Sequence, residues 1–127
     1  MFKYSLVIAL LLALIGCSGE ARLDIRNNTS RYVSGKADDQ SYGVVSGGVT
    51  TRTIDVGGFL KSSSEIDIVA YVHCTWESAS PVVYKLTKSM KLERDQNYTY
   101  EVYFSEMANN YDLRLESVEP QSPILAP

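Results

Sequence analysis

Glu65-Ile66-Asp67-Ile68-Val69-Ala70-Tyr71-Val72-His73-Cys74-Thr75-Trp76 alternates in chemistry from one residue to the next. Ile66, Ile68, Ala70, Val72, Cys74 and Trp76 fall on one side, and Glu65, Asp67, Val69, Tyr71, His73 and Thr75 on the other. A period of two is that of a pleated strand, and the side without charge is the side that packs on a core. The other side begins charged and ends mixed. The segment therefore reads as a strand with one buried face.

The same period recurs on either side of it. Leu23 and Ile25 alternate with Asp24 and Arg26, residues 32–37 and 42–45 extend, and residues 49–56 are rich in Val, Thr and Ile. Polar and glycine clusters at 27–30, 38–41, 46–48 and 57–58 separate them as turns. Downstream, residues 77–81 turn the chain and 82–86 extend. Tyr98, Tyr100, Val102 and Phe104 make another apolar face, and Leu113 and Leu115 mark a last strand. Residues 85–94, with Met90 and Leu92 among charges, are the one stretch in which a helical turn competes. Seven or eight short strands without crossover helices predict an all-β chain, a single antiparallel β-sandwich, with a small β-barrel as the alternative.

Leu92-Glu-Arg-Asp-Gln-Asn-Tyr98-Thr-Tyr100-Glu-Val102 resembles the tyrosine-corner region of immunoglobulin-like and fibronectin-like domains. The resemblance implies that Tyr98 opens a strand, packs its ring beneath the preceding turn and bonds back to that turn's backbone. It implies nothing about function.

The N-terminus carries an address. Lys3 precedes an apolar run from Leu6 to Ile15, too short to span a bilayer and suited to the core of a signal peptide. The run ends in Leu14-Ile15-Gly16-Cys17, which resembles the bacterial lipobox. That resemblance implies a lipoprotein signal peptide at 1–16 and lipidation of Cys17, whose thiol accepts the diacylglyceryl group. Acyl chains would then hold the protein on the cell envelope as a membrane lipoprotein. Ser18, where an Asp would retain a lipoprotein at the inner membrane, implies the outer membrane of a Gram-negative host. Residues 17–22 then read as lipidated Cys and tether, 23–119 as the β-sandwich domain, and 120–127, with three of the four prolines, as a tail. With Cys17 acylated, Cys74 has no partner within the chain. Transthyretin-like secretion-system lipoproteins share this plan of a lipobox followed by a small sandwich.

Composition narrows the function. A chain of 127 residues allows one domain, and a net charge of −3 argues against nucleic acid as partner. The acidic body repels an anionic bilayer, which leaves the attachment to the acyl chains. No cofactor and no metal is expected: there is one His, the Asp residues are scattered without calcium-loop spacing, and no glycine loop is followed by Lys and a helix. Cys74, on the apolar side of its strand, reads as a buried, inert thiol, and His73 as a half-exposed residue pointing the other way. Ser62-Ser63-Ser64 reads as loop. Catalysis is not expected; it requires a bulge that brings His73 to a nucleophile.

Tyr71 and Tyr103, on the polar sides of their strands, and Trp76 at a strand end are the candidate binding surface. The expected function is a non-enzymatic, lipid-anchored module that docks, assembles or blocks a neighbouring envelope protein, with strand addition at an exposed edge as the docking mode. Two alternatives stand beside it. A glycan-binding or adhesion module requires Tyr71, Tyr103 and Trp76 to cluster on an exposed face. An immunity or inhibitor lipoprotein, acting against a toxin, lytic enzyme or phage, requires a tight complex through loops.

Overall fold

The computed structural model describes residues 19–57 and 63–121. The segment expected as a signal peptide, 1–16, together with Cys17, Ser18 and residues 122–127 of the expected tail, lies outside the described residues. Within them the chain forms eight strands and no helix: β1 (Glu20–Asn28), β2 (Val33–Ala37), β3 (Gln40–Val44), β4 (Val49–Asp55), β5 (Ser63–His73), β6 (Val82–Glu93), β7 (Gln96–Ser105) and β8 (Asn110–Pro120). They make two four-stranded sheets, β4-β1-β7-β8 and β3-β2-β5-β6, packed face to face without closing. The chain is a β-sandwich, not a barrel.

The predicted alternation puts its apolar side inside. Ile66, Ile68, Ala70 and Val72 of β5 meet Leu23 and Ile25 of β1 and Tyr98, Tyr100 and Val102 of β7 in one core. Each fully buried Leu, Ile or Val there contributes about 1.5–3 kcal/mol over an exposed one. The tyrosine corner forms where β6 crosses to β7 in the other sheet: the Glu93 N–H donates to the Tyr98 hydroxyl at 2.7 Å, and the ring is buried.

Four details differ from the expectation. The pairing is not wholly antiparallel, because β1 and β7 run parallel, Leu23 opposite Tyr98 and Asn27 opposite Val102. No hairpin joins these two strands, so nothing local sets their relative direction. Residues 20–22 are not tether: β1 begins at Glu20, opposite Asp55, and Ala21 is fully buried. Residues 85–94 form no helical turn but most of β6, which pairs with β5 from Ser63–Glu93 to His73–Val82 and sends Met90 and Leu92 inward. Tertiary pairing overrides a weak local preference. Ser63 and Ser64 are paired in the same ladder, so the serine run is not all loop.

The register also orients the molecule. The loops after β1, β3, β5 and β7 gather at one end, here the loop end, while the start of β1 and the end of β8 lie at the other. Along the open sides, long polar side chains cap edge carbonyls of the facing sheet. Gln40 Nε2 of β3 donates to Thr53 O of β4 at 2.7 Å, and Arg52 of β4 returns to Ser41 O of β3 at 3.0 and 3.2 Å. On the opposite side, Lys88 Nζ of β6 donates to Leu113 O of β8 at 3.1 Å. Arg52 lies opposite Leu23 and Lys88 opposite Ile68, both on the inward register. Inward-pointing charge on an edge strand is a recurrent device against pairing with another chain.

Candidate functional site

The three aromatic residues singled out in the sequence do not come together. Tyr71 stands on the outer face of β5, opposite Ser34 of β2 and Lys85 of β6, with Lys85 Nζ 5.9 Å from its ring centre. Tyr103 stands on the outer face of β7, in the other sheet, facing away. Its ring is covered by the Arg114 guanidinium at 4.1 Å. Trp76 lies in the loop after β5, 70 % exposed. The expected cluster therefore gives way to three separate environments, because two of the residues belong to opposite outer faces.

What occupies Tyr103 is an ion pair. Glu101 is only 3 % exposed despite its outward register. Its Oε1 accepts from Arg114 Nε at 2.9 Å and pairs with Nη2 at 2.6 Å, and Asn28 Nδ2 lies 3.4 Å from Oε2. The hydrogen bond to Glu101 raises the Arg114 pKa above its ordinary value, so the guanidinium stays charged.

His73 and Cys74 exchange the environments predicted for them. His73 is 7 % exposed, and Cys74 is an exposed free thiol. The register slips between Val72 and His73: Val72 pairs with Tyr84 but His73 with Val82, which leaves Val83 as the bulged residue. The His73 N–H still donates to Tyr32 O, whereas the Tyr32 N–H reaches past to Thr75 O, both at 2.9 Å. Cys74 thus leaves the ladder before its side chain can take the next inward place. Its N–H donates to Pro81 O and its carbonyl accepts from Arg31 Nη1.

The His73 ring is covered and doubly bonded. Tyr32 packs against it edge-on, ring centres 5.0 Å apart. Nδ1 lies 2.7 Å from Ser80 O in the loop after β5, and Nε2 lies 2.8 Å from Ser34 Oγ on β2. A carbonyl only accepts, so the proton of the neutral imidazole sits on Nδ1 and Nε2 accepts from the Ser34 hydroxyl. Sequence reasoning missed Ser34 because it lies 39 positions from His73. Only the pairing of Val33 with Val72 makes the two diagonal neighbours.

A second feature occupies the loop end. Val45, Val49, Trp76, Val82, Val83, Phe104 and Met107 are all exposed there, Met107 completely. Beside them Phe104 and Tyr111 meet edge-on at 5.2 Å, Tyr84 lies 6.3 Å from Tyr111, and Arg31 lies 6.0 Å from the Tyr111 ring centre. Asn110 Nδ2 donates to the Tyr84 hydroxyl at 2.7 Å and fixes this rim. At the opposite end a shallow depression of about 330 Å³ is lined by Asp38, Glu65, Ile66, Asp67 and Ser89, where the Ser89 hydroxyl donates to Asp67 Oδ1 at 2.6 Å. Among the described residues no three His, Cys, Asp or Glu side chains are grouped to hold a metal ion. No family model, curated protein or solved structure matches the chain.

Proposed function

We propose that this protein is a lipid-anchored binding module of the bacterial cell envelope, which docks onto a neighbouring envelope protein through its loop end. The observation that carries the reading is the gathering of exposed apolar side chains, Trp76 and Met107 foremost, at the end opposite Gly19. Exposed apolar patches on small domains mark contact surfaces. Gly19 itself is tied down, its carbonyl accepting from the Val56 N–H at 2.9 Å, so Ser18 alone separates Cys17 from the folded body.

Acyl chains on Cys17 would thus hold one end of the sandwich at the bilayer and carry the loop end outward by the length of β1. Nine residues at about 3.3 Å each make that roughly 30 Å. The anchor raises the effective concentration of the docking surface near membrane partners. Docking through loops rather than by strand addition agrees with the capped edges of β3, β4 and β8. It also suits the inhibitor or immunity reading, a blocking variant of the same contact. The glycan-binding alternative gains no support from Tyr71, Tyr103 and Trp76, which face different ways.

The test is site-specific photo-cross-linking in cells, with the cross-linker at Trp76 or Met107 and, as control, at Thr53 on the outer face of β4. One dominant envelope protein captured from the loop end alone supports the reading. Equal capture from all three positions, or none, overturns it. The anchor has a separate test: Cys17→Ser leaves an unprocessed precursor without acyl mass.

A further inference from the structure

We infer that Ser34, His73 and the Ser80 carbonyl form a nucleophilic acyl-transfer site on the outer face of β2 and β5, acting on small carboxylic esters. The inference is independent of the anchor and of the loop-end contact. A serine nucleophile needs a base with a free lone pair aimed at its hydroxyl, and a third group that holds the base in that tautomer. Both are present. Ser80 O fixes the proton on Nδ1, and Nε2 is left facing Ser34 Oγ at 2.8 Å. The base is sheltered beneath Tyr32, while Ser34 is half-buried and reachable from the sheet surface. Ser34, Tyr71 and Lys85 stand in one cross-strand row on that face, with the phenol on the neighbouring strand and the ammonium one strand further on.

The bulge at His73 lies in the ladder with β6, while the Ser34–His73 contact follows from the regular pairing of β2 with β5 and needs no bulge. A pH latch explains the same contacts less well. The Ser34 hydroxyl turns to accept from a protonated imidazole as readily as it donates to a neutral one, so protonation breaks neither bond.

In the reaction Ser34 Oγ adds to the ester carbonyl carbon and its proton passes to His73 Nε2. The tetrahedral oxyanion collapses, the bond to the leaving alcohol breaks, and the departing oxygen takes the proton from Nε2. Water then attacks the acyl-Ser34 carbonyl and gives a proton to His73. Collapse releases the carboxylic acid and returns the proton to Ser34. The Ser80 carbonyl is neutral and brings no charge to offset the imidazolium, so turnover is slow.

The test uses the full-length protein in detergent, with p-nitrophenyl acetate as substrate and a fluorophosphonate as trapping probe. The expected result is a single probe adduct on Ser34 by peptide mass mapping and a pH-dependent release of p-nitrophenol. Ser34→Ala, confirmed as folded by an unchanged circular-dichroism spectrum, abolishes both. His73→Gln slows labelling by about 100-fold or more and removes the pH dependence. No adduct on the wild type, an adduct elsewhere, or labelling of Ser34 that His73→Gln leaves unchanged overturns the inference.

Discussion

The Tyr42 hydroxyl on β3 donates to the Val69 carbonyl on β5 at 2.6 Å, across the intervening strand β2. Gly35 of β2 leaves the opening. A Cβ there would overlap the Val69 carbonyl oxygen and lie 2.7 Å from the Tyr42 hydroxyl. The obstructing oxygen is backbone in a central strand and cannot give way. Gly35→Ala is expected to cost about 3 kcal/mol, the upper part of the range for overpacking. Urea unfolding checks it: the midpoint falls while the slope holds.

The same hydroxyl makes stability sensitive to alkali. Burial, with a smaller effect of Tyr71, raises the Tyr42 pKa far above its ordinary value of 10.0, and burial, with Tyr98, raises that of Tyr100. Above pH 10 the unfolded chain loses these protons while the folded one keeps them. The folded state then binds more protons, and stability falls as pH rises. Below pH 10 these groups give no pH dependence. Urea midpoints at pH 8, 9, 10 and 11 are expected to hold and then drop, with a shallower drop in Tyr42→Phe. A midpoint constant up to pH 11 rules this out.

At the tyrosine corner, Tyr98→Phe keeps the ring and removes the acceptor of the Glu93 N–H. A part-buried donor left without a partner costs about 1–3 kcal/mol. Thermal unfolding of this variant is expected to show a lowered midpoint, and Tyr103→Phe, whose hydroxyl lies 3.5 Å from Asp112 on the exposed surface, a nearly unchanged one.

Lys88 reaches from an inward position of β6 to the Leu113 carbonyl of β8. Lys88→Met keeps a long chain and uncaps that edge. The expected outcome is concentration-dependent self-association in sedimentation velocity, with Lys88→Arg remaining monomeric. A monomeric Lys88→Met at millimolar concentration counts against the edge-guard role.

Glu101 is buried against Arg114. Arg114→Ala strands a buried carboxylate, and adding Glu101→Gln removes the stranded charge. The double variant is therefore expected to be more stable than Arg114→Ala alone, as a double-mutant cycle in urea would show.

Much of this architecture is legible in single residues. Ile66, Ile68, Ala70 and Val72 declare a buried strand face, and Leu92 and Tyr98 declare a corner, because side-chain parity and a six-residue turn are local geometry. Parity assigns a side and does not say where a ladder ends or what covers its outer face. His73 has the outward parity read for it, yet Tyr32 and Ser80 bury it; Cys74 has inward parity, yet the ladder ends one residue before it. The Ser34–His73 contact follows from the register of β2 on β5, so no local pattern contains it.

Alternation along the chain makes it all-β, names the residues that enter its core and places Tyr98 at a turn, and leaves sandwich and barrel both open. Each of these depends on neighbours within a few positions. The folded molecule adds that the sheets stay open as a sandwich, that β1 and β7 run parallel, that Tyr71 and Tyr103 face opposite ways, that Lys88 and Arg52 cap the edges, and that Ser34 meets His73. Those relationships join residues far apart in the chain. Their distances are set by the pairing and stacking of whole strands, which burial of the common core selects.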